Sequence, residues 1–202
     1  MRKVGLTGGI ATGKSYVLEQ FRRRGFPCLD ADELAHGVMA AGTEASRAIA
    51  DRFGHEVLGP GGSVDRARLA PAVFADSAAR RDLEAIVHPA VYRAIEAAVR
   101  GFERVGVGPM VIVDVPLLYE TGHAGDFDCV IVTACPADVQ LERLMKRGMI
   151  EADARQRLAA QLPTSEKAAR ADFVIQTGGS YEDTDRQVED ILASLTAERL
   201  GR

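Results

Sequence analysis

Short, continuous runs of apolar residues recur along the chain, and polar residues or glycines bound them. The runs lie at Val4–Thr7, Phe26–Leu29, Val111–Val113, Val130–Thr133 and Phe173–Ile175. Continuous rather than alternating apolar runs are typical of parallel strands that helices cover on both faces. The pattern therefore predicts five strands in a buried parallel sheet.

Segments with helical periodicity separate most of these runs. After the first run, Val17, Leu18 and Phe21 recur at helical spacing, and Gly25 is expected to end that helix. Further helices are predicted at 137–147, 151–161 and 183–198. Because strands alternate with helices, we predict an α/β fold with a doubly wound five-stranded parallel sheet.

The stretch from Asp30 to Phe102 departs from this alternation. It holds no clear run of strand length, is rich in Ala, Arg, Glu and Leu, and is broken by glycines. It predicts several short helices, and His88 before Pro89 favours an extended or turn conformation there. The interval between the second and third strands, about 80 residues, is too long for one crossover helix. We therefore expect a helical insertion.

The segment Gly8–Ser15 fits the pattern G-x-x-x-x-G-K-[ST] and lies between the first strand and the first helix. Backbone N–H groups of such a loop, with the positive end of the next helix, bind phosphates. Lys14 is expected to reach the β- and γ-phosphates, and Ser15 to bind Mg²⁺. A simple glycine turn does not explain Gly13, Lys14 and Ser15 together. The predicted nucleotide-binding residues are Gly9, Ile10, Ala11, Thr12, Gly13, Lys14, Ser15 and Tyr16.

Acidic residues follow two of the other predicted strands. Asp30, with Glu33 three residues later, resembles a capping box, so we interpret Asp30 as a helix cap. Asp32 would then lie in the first helical turn. It could accept a proton from an attacking hydroxyl, help to hold Mg²⁺ through water, or simply complement the helix dipole. Asp114 ends the third strand, as the acidic element that supports Mg²⁺ does in phosphate-loop enzymes, although many strands end in Asp.

Three polar residues follow the fourth strand at helical spacing. Gln140, Arg143 and Arg147 lie on one helical face, before a break at Gly148. A basic stripe is often only solvated surface. Arginines on a mobile lid, however, exclude water and neutralise charge on a transferring phosphoryl group. We therefore expect a helical lid with Arg143 in catalysis and Arg147 on the nucleotide.

Composition and charge argue against a nucleic-acid-binding protein and against a membrane protein. Of the 202 residues 47% are hydrophobic, and the formal net charge of −4 comes from charges of both signs spread along the chain. This argues against a nucleic-acid binder. No apolar run approaches the roughly 20 residues that a membrane span needs. Because Met1–Lys3 leads into a strand rather than a secretory leader, we expect a cytoplasmic protein.

Together the motifs resemble the bacterial dephospho-coenzyme A kinase family over nearly the whole chain. Besides the phosphate loop, the resemblance rests on Asp30–Asp32, His88-Pro89, Pro116–Glu120 and the lid residues. It implies transfer of the ATP γ-phosphoryl group to the ribose 3′-hydroxyl of dephospho-coenzyme A, the last step of coenzyme A synthesis. ATP, Mg²⁺ and the acceptor are the implied ligands, and a monomer or weak homo-oligomer is expected. The implied parts are a nucleotide-binding core (1–29, 106–136 and 166–202), an acceptor-binding insertion (30–105) and a lid (137–165).

The resemblance also implies roles for single residues. Asp32 is the expected base or hydroxyl-orienting group, and Lys14 and Arg143 act on the phosphoryl group. The acceptor-side candidates are Asp32, Arg66, His88 and Leu117, and the metal-binding candidates are Ser15 and Asp114. The chain departs from the family at Ala11, where glycine is usual, at Tyr16, often threonine, and at Gln176, commonly asparagine.

Two alternatives remain at this point. Another phosphate-loop kinase, acting on a nucleoside, nucleotide or sugar, explains the loop, Asp32 and the lid. It explains His88-Pro89 and Pro116–Glu120 less well. A nucleotide-dependent switch without kinase activity is the second alternative. Since the chain contains no asparagine, the Asn-Lys-x-Asp guanine reader of GTPases is absent from it.

Overall fold

The computed structural model describes residues 1–197. Residues 198–202, which include the expected end of the last helix and of the core segment 166–202, lie outside the described residues. The chain divides into two compact units, one of Met1–Leu29 with Val105–Arg202 and one of Asp30–Arg104. Within residues 1–197, no helix has the length and apolarity of a membrane span.

Five strands form one sheet in the order β2-β3-β1-β4-β5. They are β1 (Arg2–Gly8), β2 (Cys28–Asp30), β3 (Met110–Asp114), β4 (Cys129–Ala134) and β5 (Phe173–Gln176). The pairs β1–β3, β1–β4 and β4–β5 are parallel. The predicted α/β fold with a five-stranded parallel sheet is confirmed.

Nine α-helices connect and cover these strands within residues 1–197. In chain order they are α1 (Lys14–Arg23), α2 (Ala31–Val38), α3 (Glu44–Phe53), α4 (Arg66–Ala75), α5 (Ser77–Val105), α6 (Ala137–Lys146), α7 (Glu151–Ala159), α8 (Thr164–Ala169) and α9 (Tyr181–Ala197). Every residue of β3 and β4 is buried. Apolar residues of the strands pack with those of α1 and α9 into one core, so the sheet is a rigid base for the loops at its carboxyl edge.

The strand register places the ends of the central strands side by side. Leu6 of β1 pairs with Asp114 of β3, and Gly8 pairs with Thr133 of β4. Strand order reverses on either side of β1, and ligands of open α/β sheets bind at such a switch point, outside the carboxyl ends of the strands. The phosphate loop begins there.

The second unit is helical, with α2, α3, α4 and most of α5 around a separate core of Met39, Ile49, Val57 and Leu69. The Asp30 carboxylate accepts hydrogen bonds from the backbone N–H groups of Asp32 (2.8 Å) and Glu33 (3.2 Å). The prediction that Asp30 caps a helix is confirmed.

The sequence-based expectation for the end of this unit was wrong in one respect. Instead of short helices with a break at His88-Pro89, one helix of 29 residues, α5, runs through both residues. A proline in a helix interior costs about 3 kcal/mol because a hydrogen bond is lost and the ring clashes with the preceding turn. Buried Ala90, Val91 and Ile95 continue the apolar face beyond it, and their packing outweighs that local cost.

Candidate active site

The loop between β1 and α1 lies too close to β4 to carry a side chain at its first position. A Cβ on Gly8 would lie 2.2 Å from Thr133 Oγ1 and 2.7 Å from Thr12 Oγ1. Gly13, the residue before α1, has a φ of 82°, which glycine adopts readily. The glycines therefore allow the tight path that brings the backbone to the edge of the sheet.

The loop leaves five backbone donors available. Within residues 1–197, the N–H groups of Gly9, Ala11, Gly13, Lys14 and Ser15 have no hydrogen-bond acceptor, whereas Tyr16 N–H donates to the Gly13 carbonyl. The first N–H groups of a helix have no partner inside it, and they lie at its positive end. This group of donors is suited to phosphate oxygens.

Three buried threonines hold the loop against the ends of β4 and β5. Thr12 Oγ1 donates to the Gly9 carbonyl and lies 2.7 Å from Thr133 Oγ1. Thr177, which follows β5, donates to the Thr12 carbonyl and lies near the Ala134 carbonyl. The loop is thus tied to β4 and to the end of β5. This role of Thr133 and Thr177 is not predictable from the sequence, because threonine at a strand end carries no specific signal.

Side chains from the predicted lid also form hydrogen bonds to the loop backbone. Gln140 Nε2 donates to the Ile10 carbonyl (2.6 Å), and Ile10 N–H donates to Gln161 Oε1 (2.8 Å). Arg143 donates to the carbonyls of Ala11 and Thr177. In this structure the arginine is therefore bonded to the loop itself, with its guanidinium at the wall of the cavity described below.

Ala11 adopts the backbone conformation that glycine favours. Its φ of 60° is the only positive value at a non-glycine position within residues 1–197. A left-handed conformation costs about 1–2 kcal/mol for a residue with a Cβ. The Ala11 methyl group packs against Leu144 of α6 and Ala154 of α7, and this burial offsets part of the cost. The substitution leaves the loop path in a glycine-like conformation.

Lys14 forms an ion pair with Asp114, the last residue of β3. The side chains are 16% and 5% exposed, respectively. Because the pair is largely shielded from water, each charge is held firmly in place by the other. The structure thus brings together two of the predicted site residues, one from the loop and one from the neighbouring strand.

A cavity of about 640 Å³ opens above the loop. Of the described residues that line it, four are cationic and none is acidic: Lys14, Arg143, Lys146 and Arg147. A cleft lined by one sign of charge attracts ligands of the opposite sign. With the free N–H groups, these cations make the cavity complementary to a polyphosphate.

The donors beside this cavity fit Mg²⁺ carried by a nucleotide. Within residues 1–197 there is no group of three or more His, Cys, Asp or Glu side chains placed to hold a metal. Magnesium is usually bound through one or two carboxylates, several waters and the substrate phosphates rather than by a protein cage. The Ser15 hydroxyl and the Asp114 carboxylate provide a donor set of that kind.

Two tyrosines stand at the α1 end of the cavity. The Tyr16 hydroxyl donates to Asp185 Oδ1 (2.8 Å), and its ring centroid lies 4.6 Å from that of Tyr181. Burial and the neighbouring Asp185 carboxylate both raise the pKa of Tyr16, so the hydroxyl remains a donor. Tyr16 and Tyr181 both line the cavity.

A buried lysine beneath the loop was not predicted. Lys167 of α8 is fully buried, and its Nζ lies 2.7 Å from Glu120 Oε1, 3.4 Å from the Gly8 carbonyl and 3.3 Å from the Pro116 carbonyl. Glu120 also accepts a hydrogen bond from Leu162 N–H. One ammonium therefore joins the start of the phosphate loop, the segment after β3 and the end of the predicted lid.

The acceptor-side candidates are distributed over both units. Arg66 and His88 line a cavity of about 280 Å³ in the second unit, which is otherwise mostly apolar. Asp32 is exposed in the first turn of α2. Leu117, in the first unit, is 43% exposed in the segment after β3. Neither Asp32 nor Leu117 lines the two cavities described here.

A parallel α/β sheet whose central strand leads through this glycine loop into a helix, beside a lysine and an acidic strand end, defines a phosphate-loop kinase. A family model described as dephospho-CoA kinase matches residues 2–183. The chain belongs to the dephospho-CoA kinase family.

Individual relatives are similar over nearly the whole chain. A dephospho-CoA kinase of Anaeromyxobacter dehalogenans is 50% identical over 200 residues, which cover 98% of this chain and 94% of the relative. The solved structure of dephospho-CoA kinase from Campylobacter jejuni has a TM-score of 0.75 at 27% identity, covering 98% and 100% of the two chains. A shikimate kinase from Acinetobacter baumannii, with a TM-score of 0.51 and 16% identity over 99% and 96% of the chains, shares the fold alone.

Proposed function

We propose that the protein transfers the γ-phosphoryl group of ATP to the 3′-hydroxyl of the ribose of dephospho-coenzyme A. A new P–O bond forms to that oxygen as the bond to the β-phosphate oxygen breaks, and the products are coenzyme A and ADP. The observation that carries the proposal is the set of five free N–H groups with Lys14 in a cation-lined cavity. Membership of the dephospho-CoA kinase family supports the choice of acceptor.

On the donor side, the loop N–H groups and Lys14 bind the phosphates. Phosphoryl transfer depends mainly on positioning and on electrostatic stabilisation of charge on the transferring group. Lys14 and Arg143 supply positive charge for this purpose, and Arg147 contacts the nucleotide. Ser15 and Asp114 would hold Mg²⁺, which neutralises phosphate charge when bound. The Lys14–Asp114 ion pair keeps the lysine in place before the nucleotide arrives.

On the acceptor side, Asp32 orients the attacking hydroxyl and accepts its proton. Its place in the first turn of α2 and the family resemblance support this role. Arg66 and His88 bind the acceptor from the second unit, and Leu117 contacts it from the segment after β3. Residues 30–105 thus serve as the acceptor-binding insertion, 137–165 as the lid, and 1–29, 106–136 and 166–202 as the nucleotide-binding core. We further propose a cytoplasmic protein that is a monomer or weak homo-oligomer.

The acceptor is tested by measuring ADP formation from ATP with a panel of acceptors. We expect multiple turnovers with dephospho-coenzyme A in the presence of Mg²⁺, and only background rates with nucleosides, nucleotides or shikimate. Mass spectrometry should find one added phosphoryl group on the acceptor. Chelation of Mg²⁺ by EDTA should abolish the reaction. Stimulation by a nucleoside but not by dephospho-coenzyme A would refute the proposal and favour another small-molecule kinase.

Replacing Asp32 with asparagine should lower turnover by about 10²-fold or more, with near-normal ATP binding. The amide keeps the size of the side chain but cannot accept the proton, and general-base help is worth about 10²–10⁴ in rate. Steady-state kinetics with dephospho-coenzyme A and direct measurement of ATP affinity would separate the two effects.

Glu33→Gln is the matched control for this change. Glu33 is also exposed in the first turn of α2, so both carboxylates interact with the same helix dipole. If Asp32 served only the helix, the two variants would behave alike. We expect Glu33→Gln to retain turnover within a few fold of wild type, and equal losses in both variants would remove Asp32 from the catalytic residues.

A further inference from the structure

We propose that Tyr181 binds the nucleobase of ATP by stacking, so that an aromatic side chain of α9 contributes to the nucleotide affinity of this enzyme. The inference rests on the proposed function, since it concerns the nucleotide of the same site. It adds a base-binding residue that neither the phosphate loop nor the lid supplies.

The first observation is the exposure of the ring. Tyr181 is 69% exposed although it is a large aromatic residue within α9. One side of the ring contacts Tyr16, with the planes tilted by 42°. The rest is open at the wall of the 640 Å³ cavity. An exposed aromatic face in a ligand cavity offers apolar area to any flat ring, and every nucleobase has such a face.

The second observation is the direction in which a nucleotide must lie. Asp114 and the Lys14 ammonium mark the γ-phosphate end, because lysine of this motif contacts the β- and γ-phosphates. The α-phosphate then lies toward the following turn of α1, which carries Tyr16. The nucleoside continues past that turn. Tyr181, whose ring contacts that of Tyr16, lines the same cavity, as do Thr177 and Gly179.

The third observation concerns Tyr16, whose hydroxyl is not available to the nucleotide as that of a short residue such as threonine would be. Its hydroxyl is bonded to Asp185, and its N–H to the Gly13 carbonyl. The bond to Asp185 of α9 fixes the Tyr16 ring, and this ring supports Tyr181 from behind. Because Tyr181 rests on this fixed ring, its side chain loses less freedom when a base binds, and this favours stacking.

The test compares ADP with inorganic pyrophosphate, which occupies the phosphate loop but has no base. Stacking on an aromatic ring is worth about 5- to 150-fold in affinity when measured by alanine substitution. We expect Tyr181→Ala to weaken ADP by about that factor in calorimetry, and to bind pyrophosphate within twofold of wild type. Tyr181→Phe, which keeps the ring, should restore ADP affinity.

Phe74→Ala is the matched control, because Phe74 is an exposed ring (89%) on α4 that does not line the nucleotide cavity. It should leave ADP affinity unchanged. Unaltered ADP binding by Tyr181→Ala, or an equal loss for ADP and pyrophosphate, would overturn the inference. This outcome is distinguishable from a failure of the proposed function, in which the wild-type enzyme would not phosphorylate dephospho-coenzyme A.

Discussion

Replacing Lys14 with alanine is expected to lower turnover with ATP and dephospho-coenzyme A by about 10²–10³-fold. The ammonium is the one cation of the cavity that extends from the phosphate loop itself, and it is already positioned by Asp114. Removing a single preorganised group that stabilises transition-state charge costs about 10²–10³ in rate. Steady-state kinetics at saturating acceptor would measure the loss.

Lys146→Ala is the control variant, because it removes one positive charge from the cavity but leaves the Lys14 ammonium in place. Lys146 lines the same cavity, but its side chain is 72% exposed and paired with Glu142 on the preceding helical turn. Its charge is screened by water, so we expect less than a tenfold loss. The Lys14 variant must be assayed below its unfolding temperature, because buried Asp114 loses an ion-pair partner. Activity of the Lys14 variant within a few fold of wild type would contradict the phosphate-loop assignment.

The five strands could be predicted because each is a short apolar run buried in the sheet. In β3 and β4 every residue is buried, so nearly every position must be apolar, and the run stands out in the sequence. Parallel strands also bring their carboxyl ends to one edge. The structure accordingly places Asp114, at the end of β3, against Lys14 of the loop after β1.

The long helix α5 was not predicted because local rules conflict with packing there. The local preference of His88 before Pro89 is for a helix break. The sequence alone does not show how much apolar surface the residues after Pro89 bury in the folded protein. The structure buries Ala90, Val91 and Ile95 beyond the proline. Tertiary contacts decide such cases, and they are invisible in a single sequence.

Three of the residues that hold the loop were also beyond sequence reasoning. Thr133, Thr177 and Lys167 donate to backbone carbonyl groups of distant segments, and every residue type has such a carbonyl. Motif rules identify groups that contact ligands, because ligand chemistry restricts those residue types. They do not identify the groups that hold the backbone, since many polar side chains can serve.

Replacing Lys167 with methionine is expected to lower the free energy of unfolding by about 3 kcal/mol. Methionine fills a similar volume but leaves Glu120 without its counterion, and the Gly8 and Pro116 carbonyls each lose the hydrogen bond from the ammonium. Breaking a buried ion pair by removing one partner costs about 3–5 kcal/mol. We place the effect at the lower limit because Glu120 is 21% exposed and keeps its bond from Leu162 N–H. For a chain of this size, thermal unfolding should shift down by about 6–12 °C.

Lys146→Met provides the comparison, since it removes a lysine–glutamate pair at the surface. Such pairs contribute about 0.3–0.5 kcal/mol, so its unfolding temperature should shift by no more than about 2 °C. The double variant Lys167→Met/Glu120→Gln removes both charges and should recover about 1 kcal/mol relative to the single change, because no carboxylate is left without its counterion. If Lys167→Met is as stable as Lys146→Met, the buried ammonium does not hold the loop. If it is destabilised but the double variant recovers nothing, the lost carbonyl contacts rather than the ion pair account for the effect.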